Sequence, residues 1–359
     1  MEKEIRYLKP DEKEKARALW SQAFFEDSEE FDNYYFTEKI KENQILVKEE
    51  GSAIIAMVHL NPYRIRLREQ VCEMDYVVGV ATDKDRRHKG HMKDLLCRML
   101  QDGWKKEEPF TFLMPADKAI YEPFGFRFIY DKASRRCKDL TDAGVRETRL
   151  TAAKLIEDDQ KLDQIACFME EWLSARFQVY SIRDRAYVKA LMKELASEDG
   201  QVAFYWGKDH LEGIQAVWGW EEKEQRLFYC PDKWLESPSF QPAIMGRIVN
   251  LKRFLSLFSL KTFAEDHLEV ILDAEDPLIP ENNGLWNWKL TKEGADAEKI
   301  ENGEKTGDGA EVFSASVCQL IQWLMGYRKF EDIFSGENQK PFWCEKINIF
   351  QGIFLDEEV

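Results

Sequence analysis

With 359 residues, 44% of them hydrophobic and 13% aromatic, the chain is long and apolar enough for two or three folded domains. Its formal net charge of −16 argues against nucleic acid as a partner, because such binding needs a concentrated cationic face. It contains no run of about 18 uncharged apolar residues and its first residues lack a signal-peptide core, so we expect a cytoplasmic protein with no membrane partner.

The first part of the chain predicts a strand, a helix and a meander of short strands. Residues 5–8 have a strand pattern, and apolar spacing predicts a helix over residues 11–24. Residues 45–47, 53–60 and 64–67 are typical of a meander that leads into the next strand.

Acidic and aromatic residues are concentrated after the first predicted helix, in residues 24–36. Among them, Phe24, Glu26 and Asp27 are candidates for binding a substrate. Aromatic rings beside carboxylates suit an ammonium ligand through cation–π and charge contacts. A solvated acidic helix that packs its aromatic face explains the composition equally well.

A basic turn separates a strand pattern from a helix pattern. Residues 76–81 (YVVGVA) are apolar, residues 86–91 (RRHKGH) are basic, and the apolar positions in residues 92–100 recur with a helical period. Gly90 therefore opens a helix. The first N–H groups of a helix lack intrahelical partners and its dipole adds about half a positive charge there, so with its arginines and lysine the turn is predicted to bind an anion such as a pyrophosphate.

The spacing of this turn excludes two common phosphate-binding motifs. It has neither the G-x-x-x-x-G-K-[ST] loop nor the three glycines of G-x-G-x-x-G. It resembles the acyl-CoA loop of the GNAT N-acetyltransferases, [QR]-x-x-G-x-[GA], with Arg87, Gly90 and Met92 in the three marked positions. Met92 departs from the small residue that this superfamily prefers. The alternative is a basic turn that caps an ordinary strand–helix unit.

A second motif follows at the distance expected for that superfamily. After a strand pattern in residues 110–114, residues 121–126 (YEPFGF) resemble the Y-x-x-x-G-F element that closes GNAT domains. The resemblance implies that the Tyr121 hydroxyl protonates the departing thiolate, a role that suits a phenol of pKa about 10. The alternative is a tyrosine that packs its ring and hydrogen-bonds a loop.

The two motifs together imply acetyl-CoA as the co-substrate. In GNAT folds the fourth and fifth strands splay apart, and the unpaired backbone groups meet the pantetheine amides. The resemblance implies such contacts from Val80, Ala81 and Thr82, with an N–H of this strand stabilising the oxyanion. The phosphates are expected on Arg87, His88, Lys89, Gly90, His91 and Met92.

The second part of the chain repeats the order of helices followed by strands without a second basic glycine turn. Helices are predicted at residues 162–173 and 187–196, and strands at residues 202–206 and 213–220. This favours a second acetyltransferase-like fold that does not hold CoA. A stretch punctuated by prolines, residues 232–242, marks the next boundary.

Beyond that boundary we predict a different unit that starts near residue 244. Residues 268–272 and 285–290 have strand patterns, residues 293–309 form a charged, glycine-bearing connector, and residues 316–325 have the pattern of a helix. The seven cysteines are scattered without a C-x-x-C pair, so neither disulfides nor a metal site is expected in any part of the chain.

The three-part layout resembles one GNAT subgroup, the enhanced intracellular survival (Eis) acetyltransferases. Besides the two motifs above, its marks are residues 245–249 (MGRIV), 282–286 (NNGLW), 324–327 (LMGY) and the tail 354–359 (FLDEEV).

This resemblance implies an α+β protein with tandem GNAT folds and a sterol-carrier-like α/β domain. The catalytic GNAT domain is expected in residues 1–145, a degenerate GNAT domain in residues 146–240 and the sterol-carrier-like domain in residues 241–359. The subgroup also suggests a homo-oligomer, specifically a hexamer.

In this subgroup the carboxyl terminus enters the active site. The resemblance therefore implies that the Val359 α-carboxylate takes the proton of the substrate ammonium and that Glu358 holds a second ammonium. An amine of pKa near 10 must lose a proton before it attacks, so a nearby carboxylate helps. A frayed acidic tail is the alternative.

These inferences predict an acetyl-CoA-dependent N-acetyltransferase that uses direct attack and no metal. The acceptor is expected to be a primary amine of a cationic small molecule, aminoglycoside- or polyamine-like, or of lysine. The net charge of −16 favours a cationic substrate by raising its local concentration. The competing hypothesis is a non-catalytic scaffold that binds acyl-CoA or an apolar ligand.

Overall fold

Three β-sheets with flanking helices give the protein a mixed α+β fold. The computed structural model describes residues 3–138, 140, 144–220, 223–237, 239–301, 312–334 and 341–357. The predictions for Glu358 and Val359 lie outside these residues. Within them, no helix is long and apolar enough to cross a membrane.

The first part of the chain supplies most of the largest sheet. Its elements are β1 (Lys3–Tyr7), α1 (Arg17–Ala23), α2 (Glu29–Thr37), β2 (Gln44–Glu50), β3 (Ala53–Leu67), β4 (Gln70–Thr82), α3 (His91–Lys105), β5 (Phe110–Leu113), α4 (Lys118–Tyr121) and β6 (Arg127–Ser134). A 3-10 helix over Pro10–Ala16 precedes α1, so the helix predicted at residues 11–24 is α-helical only in its second half. The predicted helix start at Gly90 is confirmed.

The middle of the chain forms a second sheet. Its elements are β7 (Arg146–Thr151), α5 (Ala152–Leu155), α6 (Asp159–Ser174), β8 (Val179–Ser181), α7 (Arg185–Ser197), β9 (Gln201–Trp206), β10 (Leu211–Trp218) and β11 (Glu224–Tyr229). The strand order of the sheet is β11-β10-β9-β7. Asp158 and Asp184 cap α6 and α7 by accepting from backbone N–H groups, which explains where the two predicted helices begin.

The remaining elements form a third sheet and return to the first. They are β12 (Ser239–Ile248), α8 (Leu251–Leu255), β13 (His267–Glu275), β14 (Gly284–Thr291), β15 (Ala295–Lys299), β16 (Val312–Ser316), α9 (Val317–Leu324), α10 (Phe330–Ile333) and β17 (Ile353–Phe354). The third sheet has the order β15-β14-β13-β16. The connector predicted over residues 293–309 therefore begins with a strand, β15, and residues 302–311 lie outside the described part.

The first sheet takes one strand from far along the chain. Its order is β1-β2-β3-β4-β5-β12-β6, and β12 pairs antiparallel with both β5 and β6. The stretch near residue 244, predicted to start a different unit, is thus a strand of the first sheet. The prediction was wrong because strand pairing between distant segments leaves no local sequence signal.

β3 runs unbroken through Pro62, although the sequence predicts two shorter strands on either side of it. Proline has no N–H to donate and is confined to sheet edges and bulges. Pro62 is tolerated because the pairing of β3 with β2 stops at Leu60 and its pairing with β8 starts at Ile65, and no described strand covers β3 between them. The resulting gap in the sheet lies beside residues 61–64.

Helices cover both faces of the first sheet. Val77 of β4 packs in a cluster with Leu95 of α3, whereas the next residue, Val78, packs against the cluster that contains Trp20 of α1 and Tyr35 of α2. Successive residues of a strand point to opposite faces. We refer to these two sides as the α3 face and the α2 face.

β4 and β5 diverge, as the resemblance to GNAT folds implies. The two parallel strands share a single register position, Tyr76 opposite Phe112. On its other edge β4 carries a bulge, in which Gly79 and Val80 together oppose one residue of β3. Gly79 has φ +59° there. A bulge bends and twists its strand, which accounts for the end of β4 turning away from β5.

A buried ion pair connects the first and third sheets. Arg247 on β12 donates to Asp276, which follows β13, over 2.6 Å, and both side chains are fully buried. Asn282 donates to the second carboxylate oxygen of Asp276 at 2.8 Å and to the Val249 carbonyl at 2.9 Å. A buried charge requires such a partner, so this network fixes β13 against β12.

We expect Gly79→Ala to destabilise the protein by more than about 2 kcal/mol. A left-handed backbone costs a residue with a Cβ roughly 1–2 kcal/mol, and overpacking adds about 1–3 kcal/mol. The added methyl would lie 2.5 Å from the Trp20 ring. Gly90→Ala is the matched control, because its φ is +82° but no atom lies within 4 Å of the new methyl. Urea unfolding measures both, and equal losses would contradict the predicted clash with the Trp20 ring.

Candidate active site

The predicted anion-binding turn forms at the amino end of α3. Gly90 precedes the helix in the left-handed conformation, and the space beside its Cα is open. Arg87 and Lys89 are exposed; Arg87 Nε donates to the Thr82 carbonyl at 3.3 Å and Lys89 Nζ to the Asp85 carbonyl at 3.0 Å. Two exposed cations therefore flank a helix N-terminus, which is a suitable arrangement for a phosphate.

Other residues of the turn differ from the sequence expectation. Arg86, one of the arginines expected to attract the anion, pairs instead with Glu50 over 2.7 Å. His88 is exposed with φ +62°, whereas His91 is only 3% exposed at the first position of α3. We therefore expect His91 to meet an anion through its backbone N–H and not through its ring.

Two motifs that are separate in the sequence meet in space. Met92 of α3, Val80 of β4 and Tyr121 of α4 all pack in the apolar cluster around Leu95 and Leu96. The end of the turn, the splayed strand and the predicted acid therefore border one apolar region.

Val80, Ala81 and Thr82 form the end of β4, beyond its contact with β5. On the β5 side no described strand pairs with them. Val80 and Thr82 are half-buried and Ala81 is buried. Sheltered backbone groups require hydrogen-bond partners, and a ligand that carries extended amides provides them.

Tyr121 is a buried phenol in T-shaped contact with Phe126, at 6.0 Å between ring centroids. Its hydroxyl makes no hydrogen bond to any residue that the structure describes. It therefore lacks the hydrogen bond to a loop that the alternative interpretation requires. Burial raises the pKa of Tyr121 to about 12. The phenol therefore stays protonated at neutral pH and is able to donate a proton.

The segment predicted to bind the acceptor lies on the α2 face of the same strand. The Phe24 ring lies 4.6 Å from the Trp20 ring, and both pack in the cluster that contains Ala81. Asp27 accepts a hydrogen bond from Trp20 Nε1 at 3.1 Å. Partial burial of the carboxyl, with nearby negative charges, raises the pKa of Asp27 to about 6. Glu26 is exposed.

The described part of the tail, residues 353–357, ends beside the point where β4 and β5 diverge. β17 pairs with β8, which itself pairs with β3, and Glu357 is fully buried. The Tyr76 hydroxyl donates to the Glu357 carbonyl at 3.3 Å. Tyr76 is the last residue of β4 in register with β5, so the tail approaches the splayed strands from the α2 face.

Two buried arginines hold this tail. Arg183 donates to the carboxylates of Asp356 and Glu357, the latter at 2.7 Å, and Arg226 donates to the Asp356 carbonyl at 3.2 Å. Tyr187 donates to Glu357 at 2.8 Å. Burial raises the pKa of Glu357, but Arg183, hydrogen bonds such as that from Tyr187, and Arg226 outweigh it and hold that pKa below its usual range.

A cavity of about 520 Å³ opens on the α2 face, between α2, β3 and α7. Residues 61–64, at the gap in the first sheet, form one wall. Arg226 and Glu194 lie in another, paired over 3.3 Å and both buried. Because Tyr187 and Arg226 line the cavity and also bond the tail, the cavity and the tail share a wall.

The cavity residues were not among the predicted site residues, and Phe24, Glu26 and Asp27 do not line it. The one local signal was the Asn61-Pro62 dipeptide, which interrupts a strand pattern. Arg183, which anchors the tail, gave no signal at all. Among the described residues, no three His, Cys, Asp or Glu side chains are grouped to hold a metal ion.

Comparison with known families identifies the part of the chain that carries the turn and Tyr121. Residues 4–129 match the family model described as an acetyltransferase (GNAT) domain. The chain carries a GNAT acetyltransferase domain. Residues 251–335 match a second family, described as a sterol carrier protein domain. The predicted fold class and the predicted enzyme class, a GNAT N-acetyltransferase, are confirmed.

Solved structures resemble the chain over nearly its whole length. A conserved protein of Enterococcus faecalis V583, described as a probable N-acyltransferase, is 17% identical with a TM-score of 0.74 and covers 98% of this chain and 94% of its own. A GCN5-related N-acetyltransferase from Anabaena variabilis is 13% identical (TM-score 0.72, 98% and 99% covered). Eis1 from Mycobacterium abscessus is 12% identical (TM-score 0.69, 100% of both chains). No curated protein sequence matches.

At these identities the structural likeness establishes the fold alone. The GNAT domain supports acyl-CoA-dependent N-acetyl transfer, since its matched residues include the turn, the splayed strand and Tyr121.

We expect Arg183→Met to release the tail and to cost about 3–5 kcal/mol, because it leaves two carboxylates buried without their cation. Adding Glu357→Met to the same chain should recover part of this loss. Arg185→Met is the matched control, since its pair with Asp163 is exposed and its loss should change little. Urea unfolding and hydrogen exchange at residues 353–357 measure the effect; unchanged protection of the tail in Arg183→Met would contradict it.

Tail docking should also depend on pH. The folded-state pKa of Glu357 lies below the unfolded value, so its stabilising contribution is complete above about pH 4.5 and is lost as pH falls through the lowered folded value. Hydrogen exchange at residues 353–357 between pH 3 and pH 7 follows this loss. Increased protection at acid pH would contradict the sign.

Proposed function

We propose that the protein transfers an acetyl group from acetyl-CoA to a primary amine of a cationic small molecule, aminoglycoside- or polyamine-like, or of lysine. The observation that carries this proposal is the convergence of the unpaired β4 edge, the glycine turn and Tyr121 on one apolar region. The amine attacks the thioester directly, so the reaction requires neither a covalent enzyme intermediate nor a metal.

The turn residues fit the diphosphate of the co-substrate. Arg87, Lys89 and His88 are exposed around the start of α3, the space beside Gly90 is open, and the first N–H groups of the helix, from His91 and Met92, lack intrahelical partners. Because Met92 is larger than the residue usual in this superfamily, it is expected to press on the first turn of the helix.

The splayed strand and Tyr121 supply the chemistry. Backbone groups of Val80, Ala81 and Thr82 pair with the pantetheine amides, and an N–H near Val80 holds the thioester oxygen as negative charge develops on it. Tyr121 donates its proton to the departing thiolate. Its raised pKa keeps the phenol protonated until that step, which supports the role of acid.

The acceptor enters from the α2 face, where Phe24, Glu26 and Asp27 offer an aromatic wall and carboxylates to an ammonium group. The Val359 carboxylate is proposed to take the proton of the attacking amine, and Glu358 to hold a second ammonium. The bond between Tyr76 and the Glu357 carbonyl supports this part of the proposal, because it brings the described end of the tail to the splayed strands.

We extend the proposal to an Eis-type enzyme that is cytoplasmic and assembles as a hexamer. The succession of a GNAT domain and a sterol-carrier domain, and the fold shared with Eis1 from Mycobacterium abscessus, support the type. Analytical ultracentrifugation of the full chain measures the assembly, and a monomer at micromolar concentration would contradict the hexamer.

One experiment separates the enzyme from the competing scaffold. Calorimetry with acetyl-CoA measures binding, and a thiol-release assay with aminoglycosides, polyamines, lysine and peptides measures transfer. Binding followed by amine-dependent release supports the proposal. Binding without release from any acceptor favours a non-catalytic protein that keeps acyl-CoA.

Tyr121→Phe should lower kcat by about 10² or more while leaving acetyl-CoA affinity nearly unchanged, because it removes a proton donor that acts only in the transition state. Tyr205→Phe, which alters a buried tyrosine of the second sheet, is the control. In the unaltered protein kcat should show no loss from phenol ionisation below about pH 11, since the phenol titrates near 12. Unchanged turnover in Tyr121→Phe would remove Tyr121 from the role of acid.

Truncation after Glu357 tests the role of the tail. The network around Arg183 would remain, so the chain should still fold, although the new α-carboxylate replaces the buried Glu357 carbonyl and lowers stability somewhat. The kcat should fall by about 10² or more at neutral pH, because the amine loses its proton acceptor. Full activity in the truncated chain would show that Glu358 and Val359 take no part.

A further inference from the structure

The cavity between α2, β3 and α7 is basic although the chain as a whole is strongly acidic. Six lysine or arginine side chains and four aspartate or glutamate side chains line it, a formal excess of two positive charges. The chain carries a net charge of −16. A cavity of about 520 Å³ lies within the roughly 300–1,000 Å³ typical of small-ligand sites.

Most of the carboxylates in this cavity are already neutralised by neighbouring cations. Glu38 pairs with Lys193 at 2.5 Å and with Lys41 at 2.6 Å. Asp184 pairs with Arg64 at 2.9 Å. These carboxylates therefore offer little to a cationic ligand, and Glu42 is the one lining carboxylate that forms no ion pair with a described residue.

Glu194 is shared between two cations. It lies 3.3 Å from Arg226 and 3.9 Å from the Lys39 ammonium. Lys39 Nζ also donates to the Tyr63 hydroxyl at 3.3 Å. Lys189 lines the cavity and forms no ion pair with any residue that the structure describes. Positive charge is thus left over at Lys39 and Lys189.

Asn61 is a second, independent sign of a ligand. It lines the cavity and is 2% exposed; no hydrogen bond of good geometry reaches either polar atom of its carboxamide from the described residues, and its polar contact is with the Tyr35 hydroxyl. The neighbouring Tyr35 hydroxyl is already bonded to His59 and Asn43. A buried carboxamide that is poorly hydrogen-bonded destabilises the protein unless a ligand supplies the missing hydrogen bonds.

The position of Asn61 connects the cavity to the reacting centre. On β3 it lies directly opposite Tyr76, the residue at which β4 and β5 part. Its carboxamide provides two N–H donors and one acceptor, which suit a carboxylate and an amine respectively.

We infer that this cavity binds the acceptor and that the acceptor carries a carboxylate as well as its amine, as lysine and other diamino acids do. This inference rests on the proposed function. Lys39 and Lys189 attract the carboxylate, and Asn61 holds the polar group that lies nearest the splayed strands. A polyamine or an aminoglycoside has only ammonium groups to place there, and these meet the excess of positive charge.

Matched pairs of acceptors test the inference. Thiol release with acetyl-CoA is compared for lysine and cadaverine, and for ornithine and putrescine, which differ by one carboxylate. We expect kcat/KM to be at least about tenfold higher for each amino acid, and the ratio to fall as salt is added. Equal values, or a preference for the diamines, would overturn the inference and leave the proposed function standing. No release with any amine would overturn the proposed function and the inference with it.

Two variants tie the preference to the cavity. Lys39→Met should lower the lysine-to-cadaverine ratio by about tenfold, whereas Lys233→Met, an exposed lysine outside the cavity, should leave the ratio unchanged. Asn61→Leu should raise the KM for lysine about tenfold, leave the KM for acetyl-CoA unchanged and leave the protein as stable or more stable. A KM for lysine that does not move in either cavity variant would overturn the assignment.

Discussion

β4 and β5 hydrogen-bond at Tyr76 and then separate, and the whole site is organised around this loss of pairing. Backbone groups inside a protein need hydrogen-bond partners. Beyond Tyr76 the edge of β4 has no partner strand, so an extended ligand with amide groups can supply the missing hydrogen bonds. The bulge at Gly79 keeps the edge open, because it bends the strand on the side where β3 still pairs with it. The glycine turn of α3 and Tyr121 border the opening on the α3 face, and the tail approaches on the α2 face.

The parts of the site that were predicted from the sequence are those whose residues lie close together in the chain. A strand, a glycine turn and a helix in succession determine where Gly90 lies, and the motif around Tyr121 follows within one further strand. The parts that escaped prediction depend on residues far apart in the chain. Arg183 binds Glu357 across 174 positions, and Pro62 is tolerated only because of where two neighbouring strands end. Even Arg86, which lies in the correctly predicted turn, forms an ion pair with Glu50 of β2, and the local sequence gives no sign of this partner.

The charge of a whole chain is a poor guide to the charge of a site within it. A net charge of −16 suggested a cationic acceptor, and as a long-range field it still attracts one. Inside the cavity, however, neighbouring ammonium and guanidinium groups pair with most of the carboxylates, and the lining is basic. Over a few ångströms, contacts outweigh a screened global field. The negative charge of the whole chain therefore attracts the ammonium group of a zwitterionic acceptor, whereas the basic cavity favours its carboxylate.

The insertion of β12 between β5 and β6 has a consequence for synthesis on the ribosome. The match to the GNAT family ends at residue 129, yet a central strand of that sheet is Ser239–Ile248. While the nascent chain emerges, β5 and β6 have facing edges with nothing between them until the second sheet has also been made. Open edges of this kind are prone to wrong pairing. The first sheet is thus expected to be completed only after the second sheet has been made, and a fragment that stops at residue 145 would lack the strand that closes its own sheet.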